Sequence, residues 1–297
     1  MVFDRLTIGH VNRARQTLEG SAGKGINVAK VVHALGAPAL ALSFIGGETG
    51  QRIARELQTA GVPHELVPVA CPTRTCTTAI DRQGQTVTEL VEEAGPATDA
   101  EWRRLREAYA IAVRKASIVV LSGSIAPGAT AEFYVQCIRL ARAAGAAVIL
   151  DAQGETLRRS LAEAPLVVKP NRAELAATLG RDSIADSDLR GAIAQLLRAG
   201  PQWAAITMGA AGVVVSDGRA FWRAAPPAIE AINPIGSGDA FAAGLAVSLL
   251  RGESLPQAAV LAVACGASNA LHPLPGRIDL AQVQQFASRI AVRPMEP

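Results

Sequence analysis

From Ile118 onward the chain alternates short apolar runs with amphipathic stretches, a rhythm that few folds accommodate. IVVL (118–121), AVIL (147–150), LVV (166–168) and AAIT (204–207) are each too short for a helix. Between them, residues 131–144 and 186–198 carry apolar side chains at helical spacing and close on Gly145 and Gly200, where C-terminal caps belong. Apolar runs separated in this way predict βαβ units: a doubly wound, mostly parallel sheet with helices on both faces. Residues 236–270 are nearly all apolar and predict two helices, broken at 252–256 and packed deep against that sheet. Residues 73–90, TRTCTTAIDRQGQTVTEL, differ: alternating threonine and aliphatic residues flank a turn at 81–84, which predicts an antiparallel hairpin. It would lie as a small flap over one edge of the α/β core, an insertion and not a separate domain.

The 297 residues, 49% of them hydrophobic, suffice for one sizeable core. A formal charge of +3 with 29 dispersed basic residues leaves no stripe for nucleic acid. No apolar run reaches bilayer length, and Met1-Val2-Phe3-Asp4-Arg5 does not open a signal peptide, so neither membrane nor export is expected. The cysteines at 71, 76, 137 and 265 form no C-x-x-C pair, which points to a reduced, cytoplasmic protein. Only Lys24, Lys30, Lys115 and Lys169 interrupt the preference for arginine, and two of these fall in the motifs below.

In doubly wound folds ligands sit beyond the carboxyl ends of the strands. Polar or glycine-rich loops follow all four runs here: LSGSIAPG, LDAQG, VKPNRAEL and TMGAAG. Four such loops in register imply one polar cleft. The strongest motif is Asn233-Pro234-Ile235-Gly236-Ser237-Gly238-Asp239, leading into an apolar helix. Its glycines allow successive N–H groups to face an anion at the helix N-terminus, with Asp239 placed to take a proton from an attacking hydroxyl. The same spacing would equally let Asp239 complement the helix dipole. Gly23-Lys24-Gly25-Ile26-Asn27 is a second glycine turn entering a helix, and it lacks P-loop spacing. Asn171 and Glu174 stand three apart, as a capping box would place them, or with Glu174 ordering water about a magnesium ion. Thr207 to Gly212 is compatible with a tight loop between strands, and Arg74 with an ordinary surface cation.

Taken together and in this order, these motifs resemble the ribokinase-like (PfkB) carbohydrate kinases. AGKGINVAK is similar to that family's N-terminal signature and NPIGSGDAFAAG to its C-terminal one. TRTC, EEAGP, SGSIAPG and KPNRAEL most resemble the branch containing tagatose-6-phosphate kinase and 1-phosphofructokinase, which phosphorylates sugar phosphates. The resemblance implies ATP and Mg2+, with Asp239 as base and Gly236, Ser237 and Gly238 as the anion hole. It implies Gly23, Lys24 and Asn27 at the sugar, and Arg74 and Ser124 at the sugar's existing phosphate. Lys169, Asn171, Thr207, Gly209, Gly212 and Asn269 would serve the nucleotide, and Glu174 and Asp151 the metal through water. It further implies a single kinase domain over 1–297, with lid strands at about 1–20 and 71–92 that mediate a homodimer.

Three departures stand out. Ala22-Gly23 replaces a glycine pair, LDAQG lacks the usual serine or threonine, and nothing before Asp4 supplies the family's first strand with its N-P-x-x-D aspartate. Three readings stay open at this stage: a competent sugar-phosphate kinase, a sugar-phosphate binder impaired by the absent strand, and a kinase of an unphosphorylated sugar or nucleoside. Arg74 speaks against the third, and an intact Asp239 against the second.

Overall fold

The computed structural model describes residues 1–295. In chain order the strands are β1 (Val2–Phe3), β2 (Ala41–Ile45), β3 (His64–Pro68), β4 (Cys76–Asp81), β5 (Thr86–Val91) and β6 (Ile118–Ser122). They continue with β7 (Ala147–Asp151), β8 (Val167–Val168), β9 (Trp203–Thr207), β10 (Val213–Ser216), β11 (Phe221–Ala224) and β12 (Arg293–Pro294). The helices are α1 (Lys24–Ala34), α2 (Gly47–Thr59), α3 (Asp99–Ala112), α4 (Glu132–Ala143) and α5 (Gly154–Leu161). After them come α6 (Arg172–Thr178), α7 (Leu189–Leu197), α8 (Ser237–Leu250), α9 (Leu255–Ala270) and α10 (Leu280–Ala287).

The four apolar runs become β6 to β9, parallel neighbours in the central sheet. Beyond β9 the sheet turns antiparallel through β10, β11 and β12, because a tight turn at Gly209–Ala211 replaces a crossover helix. Two apolar layers cover the sheet. One is built from α1, α8, α9 and α10, the other from α4, α5, α6 and α7. The expected 236–270 helices are α8 and α9. The second begins at Leu255, two residues before the expected break ends, since Ser254 and Gln257 form a capping box and Pro256 sits in the first turn, where no donor is lost. Likewise the 186–198 helix opens as a short 3₁₀ turn, Asp186–Asp188, before α7. The flap is a three-stranded sheet in which β4 and β5 form the hairpin and β1 pairs parallel to β4.

The sheet has an opening. β2 pairs only with β3 and β6 only with β7, so two edges are left without ladder partners among the described residues. Consecutive residues of both, Ala41 to Phe44 and Ile118 to Ser122, line a single continuous cleft. Side chains alternate faces along a strand, so consecutive lining means that the backbone edges themselves face the cleft. Helix α1 packs against both strands and spans the opening on one side. No helix among the described residues is long and apolar enough to cross a membrane.

Candidate active site

At its upper end the same cleft, about 2770 Å³ in all, passes beyond the carboxyl ends of β6, β7 and β8 and under the flap. Three local structures aim side chains into it.

The first is the start of α8. Gly236, its N-cap, adopts the left-handed conformation (φ 83°), and a Cβ there would lie 2.6 Å from the Cβ of Pro275. Only glycine permits this turn. It brings Asp239 into the first helical turn, where the side chain is 95% shielded, with a relative exposure of 5%. Asn27 Nδ2, on α1, donates to Asp239 Oδ2 at 2.8 Å. Burial pushes the Asp239 carboxyl up to about 6, and Asp151 adds to the rise, while the Asn27 hydrogen bond, Lys24 and Lys169 pull it down. Such a carboxylate is ionised at neutral pH yet basic enough to accept a proton.

The second is a buried charge cluster. Asp151 ends β7 with an exposure of 1%. Its Oδ1 lies 3.2 Å from Lys169 Nζ and 3.6 Å from Lys24 Nζ, and its Oδ2 accepts from Ser122 Oγ at 3.1 Å. Burial works against the charge of Lys24, but Asp151, Asp239 and Glu174 outweigh it and hold the ammonium above its usual pKa. Lys169 Nζ lies 3.3 Å from where a Gly238 side chain would begin, so a cation stands over the N-terminus of α8. Two sources of positive potential, the helix end and the ammonium, therefore converge on one spot that suits a phosphoryl group.

The third comprises the outlying positions. Gly123 backs onto the stem of Lys24, and Ser124 follows it, exposed at the cleft. Arg74 is exposed where the chain enters the flap and lines the same cleft. Thr207, Gly209 and Gly212 form the turn from β9 to β10, and Asn171 bridges to Thr207. Asn171 and Glu174 make the capping box in full: Asn171 N–H donates to Glu174 Oε2 and Glu174 N–H to Asn171 Oδ1, each at 2.8 Å. Asn269 is fully buried, its Nδ2 donating to Ile235 O at 2.9 Å and its Oδ1 accepting from Gly276 N–H at 2.9 Å. It supports the 233–236 loop from beneath.

Sequence reasoning passed over Ser122 and Gly276. Ser122 ends an apolar run, and that position marks it as a candidate. Nothing local to Gly276 announces its contact with Asn27, which lies 249 residues away in the chain.

No group of three or more histidine, cysteine or acidic side chains that could hold a metal occurs among the described residues. Asp151 is engaged by two lysines and Glu174 by its cap. This donor set fits a hydrated ion carried in on phosphate oxygens, with carboxylates reached through water, and not a protein cage.

A doubly wound fold whose cleft holds a buried carboxylate at a helix N-terminus, with two lysines beside it, has the parts of a phosphotransferase acting on a hydroxyl. The family model for the pfkB family carbohydrate kinases matches residues 2–278, and the chain belongs to that family. Kinases of this family use ATP and a divalent metal. Among solved structures, Escherichia coli phosphofructokinase-2 in complex with substrates and products is 26% identical, with a TM-score of 0.89 over 97% of this chain and 94% of that one. The tetrameric inhibited form of that enzyme is 25% identical, with a TM-score of 0.86 over 97% and 93%. A Thermotoga maritima protein named as a possible 1-phosphofructokinase has a TM-score of 0.86 over 100% and 95%; at 23% identity it speaks for the fold.

Proposed function

We propose that this sugar kinase transfers the γ-phosphoryl group of ATP to a hydroxyl of a sugar phosphate of the tagatose-6-phosphate or fructose-1-phosphate type. The observation that carries it is Asp239: buried, hydrogen-bonded by Asn27, and set at the helix end over which Lys169 stands. Asp239 takes the proton as the sugar hydroxyl attacks the γ-phosphorus. The new O–P bond forms while the bridging O–P bond breaks, and ADP departs with that electron pair. The amides of 236–238 and Lys169 stabilise charge on the transferring group, while Lys24 meets the sugar. Magnesium, bound by the nucleotide phosphates and reached through water by Asp151 and Glu174, would neutralise developing charge. Asn171, Thr207, Gly209 and Gly212 line the nucleotide side, and Asn269 holds the loop that faces it.

Arg74 and Ser124 support a substrate that already carries phosphate, because both are exposed and line the cleft, and a guanidinium and a hydroxyl are each suited to bind phosphate oxygens. A coupled ADP-release assay over a panel of hexose phosphates and free hexoses tests this. Turnover on at least one hexose phosphate, well above that on every free hexose, is the expected result. A preference for a free sugar would overturn the substrate class.

Two further features belong to the same reading. The open edges of β2 and β6, five residues each, suit one extended, near-continuously apolar segment between them. About the flap Ile8 (88%), Val11 (84%) and, on opposite faces of β5, Leu90 (62%) and Val91 (47%) are exposed, apolar surface that a second copy of the chain would cover. The free cysteines and the need for ATP fit a cytoplasmic location.

A further inference from the structure

Asn27 is placed oddly for a residue whose only task is to meet a sugar. It is buried to 4% exposure on α1, its Nδ2 is committed to Asp239, and its Oδ1 has no hydrogen-bond partner. A buried amide with an orphaned acceptor costs stability, so packing alone would favour an apolar side chain here. The residue is also pinned. Gly276, with φ 69°, lies so close that a Cβ on it would come within 2.8 Å of Asn27 Oδ1 and 2.9 Å of its Cα. The strap around Gly276 is itself tied down: Asn233 Nδ2 donates to Pro273 O at 3.0 Å, and Gly276 N–H donates to Asn269 Oδ1 at 2.9 Å. Asn269 in turn donates to Ile235 O, in the loop that begins α8. The contacts close a ring running from strap to Asn27, from Asn27 to Asp239, from α8 to its loop, and back through Asn269 and Asn233 to the strap.

We propose that Asn27 is a positioning residue for the base, and that the 273–277 strap, through Gly276, sets its geometry. This rests on Asp239 being the base. With Oδ2 held by Asn27, the carboxylate cannot rotate freely, and the proton of an incoming hydroxyl goes to Oδ1. The fixed donor also favours the ionised form. Other charged groups face Asp239: Lys24 from the same helix as Asn27, Asp151 from the end of β7, and Lys169 after β8. Lys30 and His33 lie further along α1, with Lys30 Nζ donating to Ser21 O at 2.9 Å. Of the other elements packed on α8, β6 carries no titratable side chain and α9 only Cys265.

The decisive test needs no sugar. The Asp239 carboxyl is followed by carbon NMR as a function of pH, its signal assigned by difference from Asp239→Asn. Asn27→Ala should move its midpoint upward by about one pH unit, the scale of a lost hydrogen bond to a charged group. Gly276→Ala should move it the same way, and the double variant no further than the larger single shift, because both act through one contact. A midpoint unmoved in Asn27→Ala overturns the proposal, as do two shifts that add. Should Gly276→Ala fail to fold by thermal melting, Asn27→Ala and the near-isosteric Asn27→Leu decide alone. In turnover, the acid limb of the pH profile should move with the midpoint while the KM for ATP stays within about twofold. An acid limb that persists in Asp239→Asn would remove Asp239 as the base, an outcome distinct from a limb that belongs to Asp239 but ignores Asn27.

Discussion

A carboxylate held out of water beside two lysines is both a tool and a burden. Asp239→Asn should leave ATP affinity nearly unchanged and lower kcat by at least about a hundredfold, as measured by titration with nucleotide and by steady-state assay. The pH dependence has opposite signs for activity and stability. Activity should fall as pH drops through about 6, where Asp239 takes up a proton. For stability, a folded pKa above the ordinary carboxylate value means that the contribution is full below that ordinary value and is lost as pH rises through about 6. Asp239→Asn should therefore be more stable than the wild type at pH 8, by up to about 3 kcal/mol, with the gap narrowing below about pH 6 and closing near about pH 4. Equal melting at both pH values would show that Asp239 carries no such penalty. Arg74 is exposed and lines the cleft, so if it meets the sugar's phosphate, Arg74→Ala should raise the KM for the sugar phosphate severalfold more than that for ATP. Equal effects on both would leave it a surface cation. At this scale the sequence revealed positions but not partners. Asp239 was legible from its glycines, and Glu174 from its spacing to Asn171. That Asn27 turns toward Asp239, and that Asn269 lies beneath a loop, depend on packing between segments more than 200 and more than 30 residues apart.

Among the elements, parallel strands buried on both faces leave a signal of plain apolar runs, which is why β6, β7 and β9 were visible almost to the residue. The hairpin was visible through alternation. Strands β2, β3 and β10 to β12 were less so. Residues 41–45 and 64–68 mix apolar and polar side chains without alternating, and β12 consists of an arginine and a proline. The opening between β2 and β6 was not legible as a place in the sheet. Its position, in the middle of the fold, follows from pairing that no local pattern encodes. If the opening seats a strand, joining one ahead of Met1, with an N-P-x-x-D turn, should protect the amides of Ala41–Ile45 and Ile118–Ser122 from hydrogen exchange. Turnover on the best sugar phosphate should rise on the order of a hundredfold, because a sugar hydroxyl gains an orienting acceptor. Unchanged protection and rate would show that both edges are complete as they stand.

For the whole molecule, the layers do the positioning. One sheet carries Asp151 on β7 and Lys169 after β8, while the layer of α1, α8 and α9 carries Asn27 and Asp239, so the site exists only when the helical layer seats correctly on the sheet. The flap exposes Leu90 on β5. If two copies meet there, sedimentation at micromolar concentration should give a dimer, and Leu90→Glu should shift it toward monomer; a monomeric wild type would overturn that arrangement.

The path of the first residues has a practical consequence. The amino nitrogen of Met1 donates to Thr78 O at 2.7 Å, which anchors the chain end on the flap at the mouth of the cleft. A purification handle fused ahead of Met1 would start among residues that line the cleft, and one that lay across them would act as a weak inhibitor. β12 lies at the opposite margin of the central sheet from β6. Comparing a handle added beyond β12 with one ahead of Met1 would reveal how much of an apparent KM belongs to the enzyme and how much to the tag.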